Sequence, residues 1–278
     1  MRFWKYHGCG NDFVVVDGVR QKLEVDTEWS KKVCDRHFGI GADGVLYVLP
    51  GRDGSDIEMV VVNSDGSIAE MCGNGIRCVS KFAKDQGIVK GDEFLVMTGR
   101  GILKATTIPG NDGKVARVRI DMGAPILEGR EIPIKHDGRF IGQPFEVRGL
   151  TIKGNAVSMG NPHFITFDDL DDDLIDDLGP ELEKHRFFPR KTNVEFAHVT
   201  DGKIYIRVYE RGAAWTLACG TGACATTTAA ALNGLVPFGE PVDVRLPGGW
   251  LKITVDKDLG YVLMEGPAEF VYCGETPY

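Results

Sequence analysis

The feature that most constrains this chain is an internal repeat built around two Cys-Gly-x-Gly segments. The first begins at Cys72 and the second at Cys219, 147 residues later. A Gly-Asn pair that ends at Asn11 recurs 150 residues later, ending at Asn161, and an apolar stretch follows each pair. The repeat predicts two similar α/β halves that face each other across a pseudo-twofold axis.

The hydrophobic pattern predicts many strands and few helices. Helices are predicted over Glu28–Phe38, Asn74–Gln86 and Thr221–Leu232, each followed by Gly or Asn-Gly. The last two begin next to a Cys-Gly pair. Strands are predicted near Phe13–Asp17, Val45–Leu49, Ile57–Asn63, Phe94–Thr98, Ile102–Thr107, Val115–Met122, His163–Phe167, Asn193–Val199, Ile204–Tyr209, Val242–Leu246, Leu251–Asp256 and Tyr261–Glu265.

Two segments resemble ligand sites, but a simpler explanation covers each. Asp168–Asp177 holds seven aspartates, yet Leu174, Leu178 and Leu182 recur every four residues. This spacing predicts a short amphipathic helix or a pair of helices, with Pro180 starting the second. The glycine-rich segment 39–44 lacks the preceding strand of a dinucleotide loop, so a turn is expected there. We expect no metal and no nucleotide cofactor.

Composition narrows the classes of partner. A net charge of −8 and a pI near 5.3 argue against nucleic acid and against an anionic membrane. No apolar run approaches the length of a membrane span, so we expect a cytoplasmic protein. The seven cysteines contain no Cys-x-x-Cys pair, which argues against a zinc knuckle and favours reduced thiols.

The Cys-Gly-x-Gly segments suggest proton-transfer chemistry. Free N–H groups and the helix dipole at a helix start bind an anion, and the same field lowers the pKa of a cysteine. We therefore expect Cys72 and Cys219 to reach the thiolate form near neutral pH. Two such elements in one pocket supply a base on each face of an amino-acid α-carbon, beside a bound carboxylate. That arrangement inverts a stereocentre without a Schiff-base cofactor.

These residues resemble the diaminopimelate epimerase family along nearly the whole chain. The matching segments begin at His7-Gly8-Cys9-Gly10-Asn11-Asp12-Phe13 and include Asp35–Gly44, Asn63–Ser67, Glu70–Cys78, Met159–His163, Asn193–Phe196, Glu210–Gly212, Ala218–Cys224, Leu246–Gly249 and Gly266–Phe270. The resemblance implies halves at 1–118 and 119–265, each a strand-rich sheet or barrel around a central helix. A C-terminal strand, 266–278, is expected to return to the first half.

The resemblance also implies a function and a set of site residues. It implies cofactor-independent interconversion of LL- and meso-diaminopimelate, in lysine and cell-wall precursor biosynthesis, by Cys72 and Cys219. His163 and Glu210 match positions that flank the reacting centre, and Tyr272 matches an interface position of a homodimer. The residues that match substrate-binding positions are Asn11, Asn63, Gly73, Asn74, Asn161, Asn193, Glu210, Arg211, Gly220 and Thr221. A distal carboxylate suits Arg211, and a distal ammonium group suits Glu210.

Some residues depart from the family pattern, and three other interpretations stay open. Cys9 stands where an aliphatic residue is usual, and Gly44 stands where some members carry a glutamine that contacts the substrate. Ala214-Trp215 replaces a common Gly-Glu pair. One alternative is a proline racemase-like enzyme, although such enzymes typically carry a histidine where Asn74 stands. Proline also has no distal charged group for Arg211 and Glu210 to bind. A second is a non-enzymatic redox or binding module with Cys72 and Cys219 as a regulatory disulfide. A third is a fold relative that catalyses another isomerisation, although such relatives commonly lack one or both cysteines.

Overall fold

The structure, a computed structural model, describes residues 1–277, and its chain divides into two compact units. Unit 1 contains Met1–Asp121 and the segment that begins at Glu265, and unit 2 contains Met122–Met264. Tyr278, the last residue of the predicted strand 266–278, lies outside the described residues. The elements are β1 (Arg2–Gly8), β2 (Asn11–Asp17), α1 (Gly18–Gln21), α2 (Thr27–Cys34), β3 (Gly44–Pro50), β4 (Ile57–Asn63), β5 (Ile68–Ala69), α3 (Gly73–Asp85), β6 (Glu93–Thr98), β7 (Gly101–Pro109), β8 (Val115–Asp121), β9 (Gln143–Val147), β10 (Leu150–Ser158), β11 (Pro162–Thr166), α4 (Asp172–Glu183), β12 (Asn193–Thr200), β13 (Lys203–Glu210), β14 (Ala214–Thr216), α5 (Gly220–Leu232), β15 (Pro241–Leu246), β16 (Gly249–Val255), β17 (Val262–Pro267) and β18 (Glu269–Glu275).

In unit 1 a mixed sheet wraps around α3. The strands pair in the order β18, β1, β2, β3, β4, β6, β7, β8, and only the β2–β3 and β4–β6 pairs are parallel. Helix α3 contacts strands from both ends of this order, including β1 and β8. Every residue from Gly73 to Ala83 is buried, as a helix enclosed by strands requires. Helix α2 covers the other face of the sheet, where Trp29 and Val33 pack on Val45 and Tyr47.

Unit 2 repeats this topology with its own elements. The strands pair in the order β9, β10, β11, β12, β13, β15, β16, and β11–β12 and β13–β15 are the parallel pairs. Helix α5 contacts β10, β11, β12, β13, β15 and β16 and is buried along most of its length. Helix α4 covers the opposite face, with Leu178 and Leu182 fully buried. The predicted fold, two similar α+β halves with strands around a central helix, is confirmed.

Two helices differ from their predicted extents. Helix α2 ends at Cys34 rather than Phe38, because the Asp35 carboxylate accepts hydrogen bonds from the N–H groups of His37 and Phe38 and turns the chain. The acidic segment forms the single helix α4, with Pro180 inside it rather than starting a second piece. The stripe of buried leucines continues past the proline, and its packing outweighs the lost hydrogen bond.

The acidic face of α4 is paired with arginines. Arg207 binds Asp172 at 2.7 Å and Asp176 at 2.6 Å, and Arg148 binds Asp177 at 2.8 Å. Within residues 1–277, no group of three or more His, Cys, Asp or Glu side chains is arranged to hold a metal ion. Among the same residues, no helix is long and apolar enough to cross a membrane.

Candidate active site

We call the surroundings of each of the two cysteines, Cys72 and Cys219, a half-site. The first half-site lies at the start of α3, in unit 1. Cys72 is the N-cap residue in an extended conformation, and its sulfur accepts a hydrogen bond from the Gly75 N–H at 3.3 Å. Gly73 and Asn74 form the first helical positions, and N–H groups at a helix start point toward the place where an anion binds. Cys72 is half-buried, whereas Gly73 and Asn74 are buried.

Asn11 links this helix start to the strands around it. Its Oδ1 accepts a hydrogen bond from Asn74 Nδ2 at 3.1 Å and lies 3.8 Å from Cys72 Sγ. Its Nδ2 donates to Asp43 Oδ2 at 2.7 Å, and Asp43 is held in turn by Arg36 at 2.7 Å. The carboxylate of Asp43 therefore orients the amide of Asn11 so that its oxygen faces the cysteine.

Asn74 and Asn63 complete the predicted residues of unit 1. Asn74 Oδ1 accepts from the fully buried Arg77 at 2.9 Å, and Arg77 also donates to the Gly73 carbonyl at 3.0 Å. Asn63 ends β4 as predicted, and its Nδ2 donates to Ser67 Oγ at 3.0 Å. Asn63 pairs with Gly44, which pairs with Phe13 near the start of β2. Asn63 and Asn11 therefore lie at the same end of two strands, β4 and β2, that both pair with β3.

The second half-site lies at the start of α5, in unit 2. Cys219 is the N-cap residue in an extended conformation, but its side chain makes no capping hydrogen bond of normal geometry. Its sulfur lies 3.6 Å from Thr221 Oγ1, and only 4% of the residue is exposed. Gly220 and Thr221 are the first helical positions, in register with Gly73 and Asn74 of the other half-site.

The protonation state of Cys219 differs from the sequence expectation. Burial raises the pKa of the Cys219 thiol well above its ordinary value, and the nearby carboxyls of Glu210 and Glu195 raise it further. The hydrogen bond with Thr221 opposes these effects without cancelling them. The predicted lowering of the pKa by the helix start is therefore wrong for Cys219, because burial and the two carboxyls favour its neutral thiol form.

Asn161 and His163 lie beside Cys219. Asn161 Nδ2 donates to Thr221 Oγ1 at 3.2 Å, and His163 Nε2 lies 3.1 Å from Asn161 Oδ1. His163 Nδ1 lies 2.6 Å from Glu195 Oε1, and both side chains are completely buried. Burial raises the pKa of the Glu195 carboxyl, and the contact with His163 opposes that effect. Glu195 received no role from the sequence, although a carboxylate inside an apolar strand signals a buried partner.

The last group of predicted residues surrounds the end of β13. Glu210 ends the strand as predicted and accepts a hydrogen bond from Thr216 Oγ1 at 2.6 Å. Asn193 is buried at the start of β12, where its Oδ1 accepts from the Arg211 backbone N–H at 2.9 Å. The exposed Arg211 guanidinium donates to the Arg190 carbonyl at 3.3 Å. Asn193 thus positions the backbone that carries Arg211.

The departures from the family pattern have local explanations. At Gly44, an added Cβ would lie 2.8 Å from the Val62 carbonyl oxygen, so the backbone leaves no room for a side chain. Trp215 packs on Phe196 and Tyr209, and Arg207 lies over its ring at 4.5 Å. Cys9 occupies the left-handed region in the turn between β1 and β2. Cys78 and Cys224 are fully buried in α3 and α5.

Solved structures with this fold include enzymes that invert amino-acid stereocentres. A probable proline racemase from Agrobacterium radiobacter has a TM-score of 0.72 at 17% identity, covering 99% of this chain and 92% of its own. A hydroxyproline epimerase from Agrobacterium vitis has a TM-score of 0.70 at 14% identity, covering 99% and 90%. The chain therefore has the fold of the class that contains these racemases and epimerases.

Sequence comparison then identifies the family within that class. The family model for diaminopimelate epimerase matches residues 3–128 and 155–271. The diaminopimelate epimerase of Pelotomaculum thermopropionicum is 47% identical over 283 aligned positions, covering 100% of this chain and 99% of the relative. That of Leptospira biflexa is 45% identical over 281 positions, covering 99% of each. The chain belongs to the diaminopimelate epimerase family and is an isomerase.

Proposed function

We propose that the chain interconverts LL- and meso-diaminopimelate, with Cys72 and Cys219 as the two bases and no cofactor. The observation that carries this proposal is the pair of matching half-sites, each with a cysteine as the N-cap of an enclosed helix. The family match over most of the chain supports the substrate. The reaction belongs to lysine and cell-wall precursor biosynthesis.

The proposed reaction conserves its protons. One cysteine thiolate removes the α-proton and becomes a thiol, and the electron pair left on the α-carbon is stabilised by the adjacent carboxylate. The other cysteine thiol gives its proton to the opposite face and becomes a thiolate. Gly73, Asn74, Gly220 and Thr221 bind the reacting carboxylate through helix-start N–H groups. The raised pKa of Cys219 supports Cys219 as the proton donor in the first turnover.

The remaining predicted residues bind and orient the substrate in this proposal. Glu210 and Arg211 bind the ammonium and carboxylate of the distal centre. Asn11, Asn63, Asn161 and Asn193 supply amide contacts, and His163 and Glu210 flank the reacting centre. The hydrogen bonds of Asn11 to Asp43 and of Asn161 to His163 support these roles, because they fix the direction of each amide.

An assay with LL-diaminopimelate and L-proline side by side tests the proposal. The protein, dialysed exhaustively against a chelator and hydroxylamine, should epimerise LL-diaminopimelate and incorporate deuterium from D2O at its α-carbon, with no change to proline. Turnover of proline alone would favour the racemase alternative. Absence of α-proton exchange with both amino acids would favour a redox or binding module.

We also propose a cytoplasmic location and a homodimer. The two-base reaction needs reduced thiols, which the cytosol maintains. Tyr272 lies on β18 among exposed apolar side chains, with Phe270, Val271 and Tyr272 each 43–51% exposed. Tyr272→Glu should convert a dimer to a monomer of about 30.4 kDa in sedimentation equilibrium, whereas Tyr261→Glu, at a similarly exposed tyrosine, should not. A Tyr272→Glu variant that stays dimeric would place the interface elsewhere.

A further inference from the structure

A continuous chain of polar contacts runs through unit 2 from a buried carboxyl to Cys219. Its links are Glu195 Oε1 to His163 Nδ1 at 2.6 Å and His163 Nε2 to Asn161 Oδ1 at 3.1 Å. Asn161 Nδ2 then donates to Thr221 Oγ1 at 3.2 Å, and Thr221 Oγ1 lies 3.6 Å from Cys219 Sγ. Each member touches the next, and the chain begins at a residue with no exposed surface.

Glu195 decides which atom donates and which accepts at each link of this chain of polar contacts. Asn161 directs its oxygen toward His163, so His163 Nε2 must carry the proton of that hydrogen bond. Nδ1 then faces Glu195 either as the acceptor of a carboxylic acid proton or as the donor of an imidazolium. Because Thr221 accepts from Asn161, its hydroxyl proton is free to point at the sulfur.

The surroundings of Glu195 favour the carboxylic acid. Its Oε2 is buried and has no hydrogen-bond partner among residues 1–277, which is costly for a carboxylate and tolerable for a carbonyl oxygen. Its Oε1 approaches the backbone of α5 so closely that a Cβ on Gly222 would lie 2.7 Å from it. Burial also raises the pKa of this carboxyl. The groups that face Cys219 from the elements packed on α5 are Glu195 and Glu210, with His163 behind them.

We propose that Glu195 is a positioning residue, which fixes the direction of the chain through His163, Asn161 and Thr221 and thereby provides the hydrogen bond that stabilises the Cys219 thiolate. Removing the donor at Glu195 frees His163 to change tautomer and Asn161 to turn over. The Thr221 hydroxyl then donates to Asn161 instead of to the sulfur. This inference deepens the proposed function, since it concerns the proton of one of the two proposed bases.

Two substitutions of Glu195 separate the loss of the hydrogen-bond donor from the loss of the ionisable carboxyl, because both remove the carboxyl and only one keeps a donor. In Glu195→Gln, the carboxamide N–H donates to His163 Nδ1 and keeps the chain in its direction. In Glu195→Leu, no donor remains. The measurement is the pH midpoint for alkylation of Cys219 by iodoacetamide, followed by peptide mass spectrometry. We expect the midpoint of Glu195→Leu to lie at least about one pH unit above that of Glu195→Gln, the effect of one hydrogen bond to a charged group.

A matched control and a second variant complete the test. Thr226→Val removes a buried hydroxyl of α5 that lies outside the chain, so its midpoint should equal that of the unmodified protein. If Glu195→Leu does not fold, Thr221→Val is added to Glu195→Gln, and the loss of the last link should produce the same rise. Equal midpoints for Glu195→Gln and Glu195→Leu, or no rise with Thr221→Val, would overturn the inference.

The alkylation experiment does not require turnover, so it separates this inference from the proposed function. A difference between the two Glu195 variants in a protein that fails to epimerise diaminopimelate would leave the inference standing and refute the function. If the protein epimerises diaminopimelate but the alkylation midpoints of Glu195→Gln and Glu195→Leu are equal, the proposed function stands and this inference is refuted.

Discussion

At the scale of single residues, the two half-sites present opposite ends of an amide to their cysteines. Asp43 accepts from the nitrogen of Asn11, so the oxygen of Asn11 faces Cys72. His163 contacts the oxygen of Asn161, so the nitrogen of Asn161 faces Thr221 and, through it, Cys219. The half-sites are therefore matched in position but differ in which end of the amide lies toward each cysteine.

Removing either sulfur should stop stereoinversion. Cys72→Ala and Cys219→Ala should each lower kcat by about 10²–10⁴-fold or more, because a two-base reaction needs a proton carrier on each face. Cys78→Ala and Cys224→Ala, one turn or more into the same helices, serve as controls and should keep most of the activity. Polarimetry or chiral chromatography of the diaminopimelate isomers measures the rates. Near-normal turnover in either of the first two variants would refute the assignment.

Arg211 should affect binding of the distal carboxylate rather than proton transfer. Its guanidinium is exposed and donates to the Arg190 carbonyl at 3.3 Å, so it is accessible to a ligand. Arg211→Ala should raise KM for diaminopimelate by about 10–100-fold, the loss of a charge-assisted hydrogen bond. The matched measurement uses an analogue without the distal carboxylate, whose kcat/KM should change little. Equal losses with both substrates would assign Arg211 to the chemistry or to folding.

At the scale of elements, the corresponding glycines of the two helix starts, Gly75 and Gly222, have different neighbours. An added Cβ on Gly75 would lie 3.0 Å from the end of the flexible Leu46 side chain. An added Cβ on Gly222 would lie 2.7 Å from Glu195 Oε1, a buried atom held by His163. The second contact cannot relax without moving the carboxyl and the histidine. The two helix starts therefore differ in how much they depend on glycine.

Substitution of these glycines should show that difference. Gly222→Ala should lower the free energy of unfolding by about 1–3 kcal/mol, as overpacking of a core does, and should also lower kcat. Gly75→Ala should have the smaller effect on both, since its Cβ would lie 3.0 Å from the end of a flexible side chain rather than 2.7 Å from a buried carboxyl oxygen. Urea unfolding and steady-state rates measure the two quantities. Equal or reversed effects would mean that Glu195 is not held in the place that the structure gives it.

Much of the fold could be predicted from the sequence, because the repeat and the apolar runs mark the elements directly. Helices α3 and α5 begin one residue before their predicted starts. Strand β10 was not predicted, because Gly154 and Asn155 in its middle are typical of a turn. In the structure Gly154 leaves room for the Phe164 ring, and Asn155 donates to the Ile165 carbonyl. Such roles depend on residues that are distant in the chain.

The candidate site could be predicted only in part for the same reason. The cysteines, the glycines and the amides stand in motifs that mark a helix start or a strand end. Asp43 and Glu195 lie in segments that match the family, but nothing local marks their roles, which come from contacts with Asn11 and His163. The raised pKa of Cys219 likewise comes from burial and from Glu210 and Glu195, which no local pattern encodes.

At the scale of the whole molecule, the proposed function rests on two units that repeat one topology. Each unit places a cysteine at the start of its enclosed helix, and each surrounds that cysteine with amides from strand ends. A base on each face of one α-carbon requires the two half-sites to act on a single substrate. The repeat predicts that arrangement, because two copies of a half-site related by a twofold axis can approach one substrate carbon from opposite faces.

The two sulfurs should therefore converge on one ligand. Each must approach the α-carbon from its own face at about 3–3.5 Å, so a crystal structure of the reduced protein with a bound diaminopimelate analogue should show sulfurs roughly 6–7 Å apart. Mild oxidation of the free protein should join Cys72 to Cys219 in a disulfide of about 2.05 Å, with loss of activity that dithiothreitol restores. Peptide mass spectrometry identifies the pair, and Cys78→Ala is the control that should still form it. Sulfurs more than about 15 Å apart in the liganded protein would exclude a shared near-attack geometry, and the two-base mechanism with it.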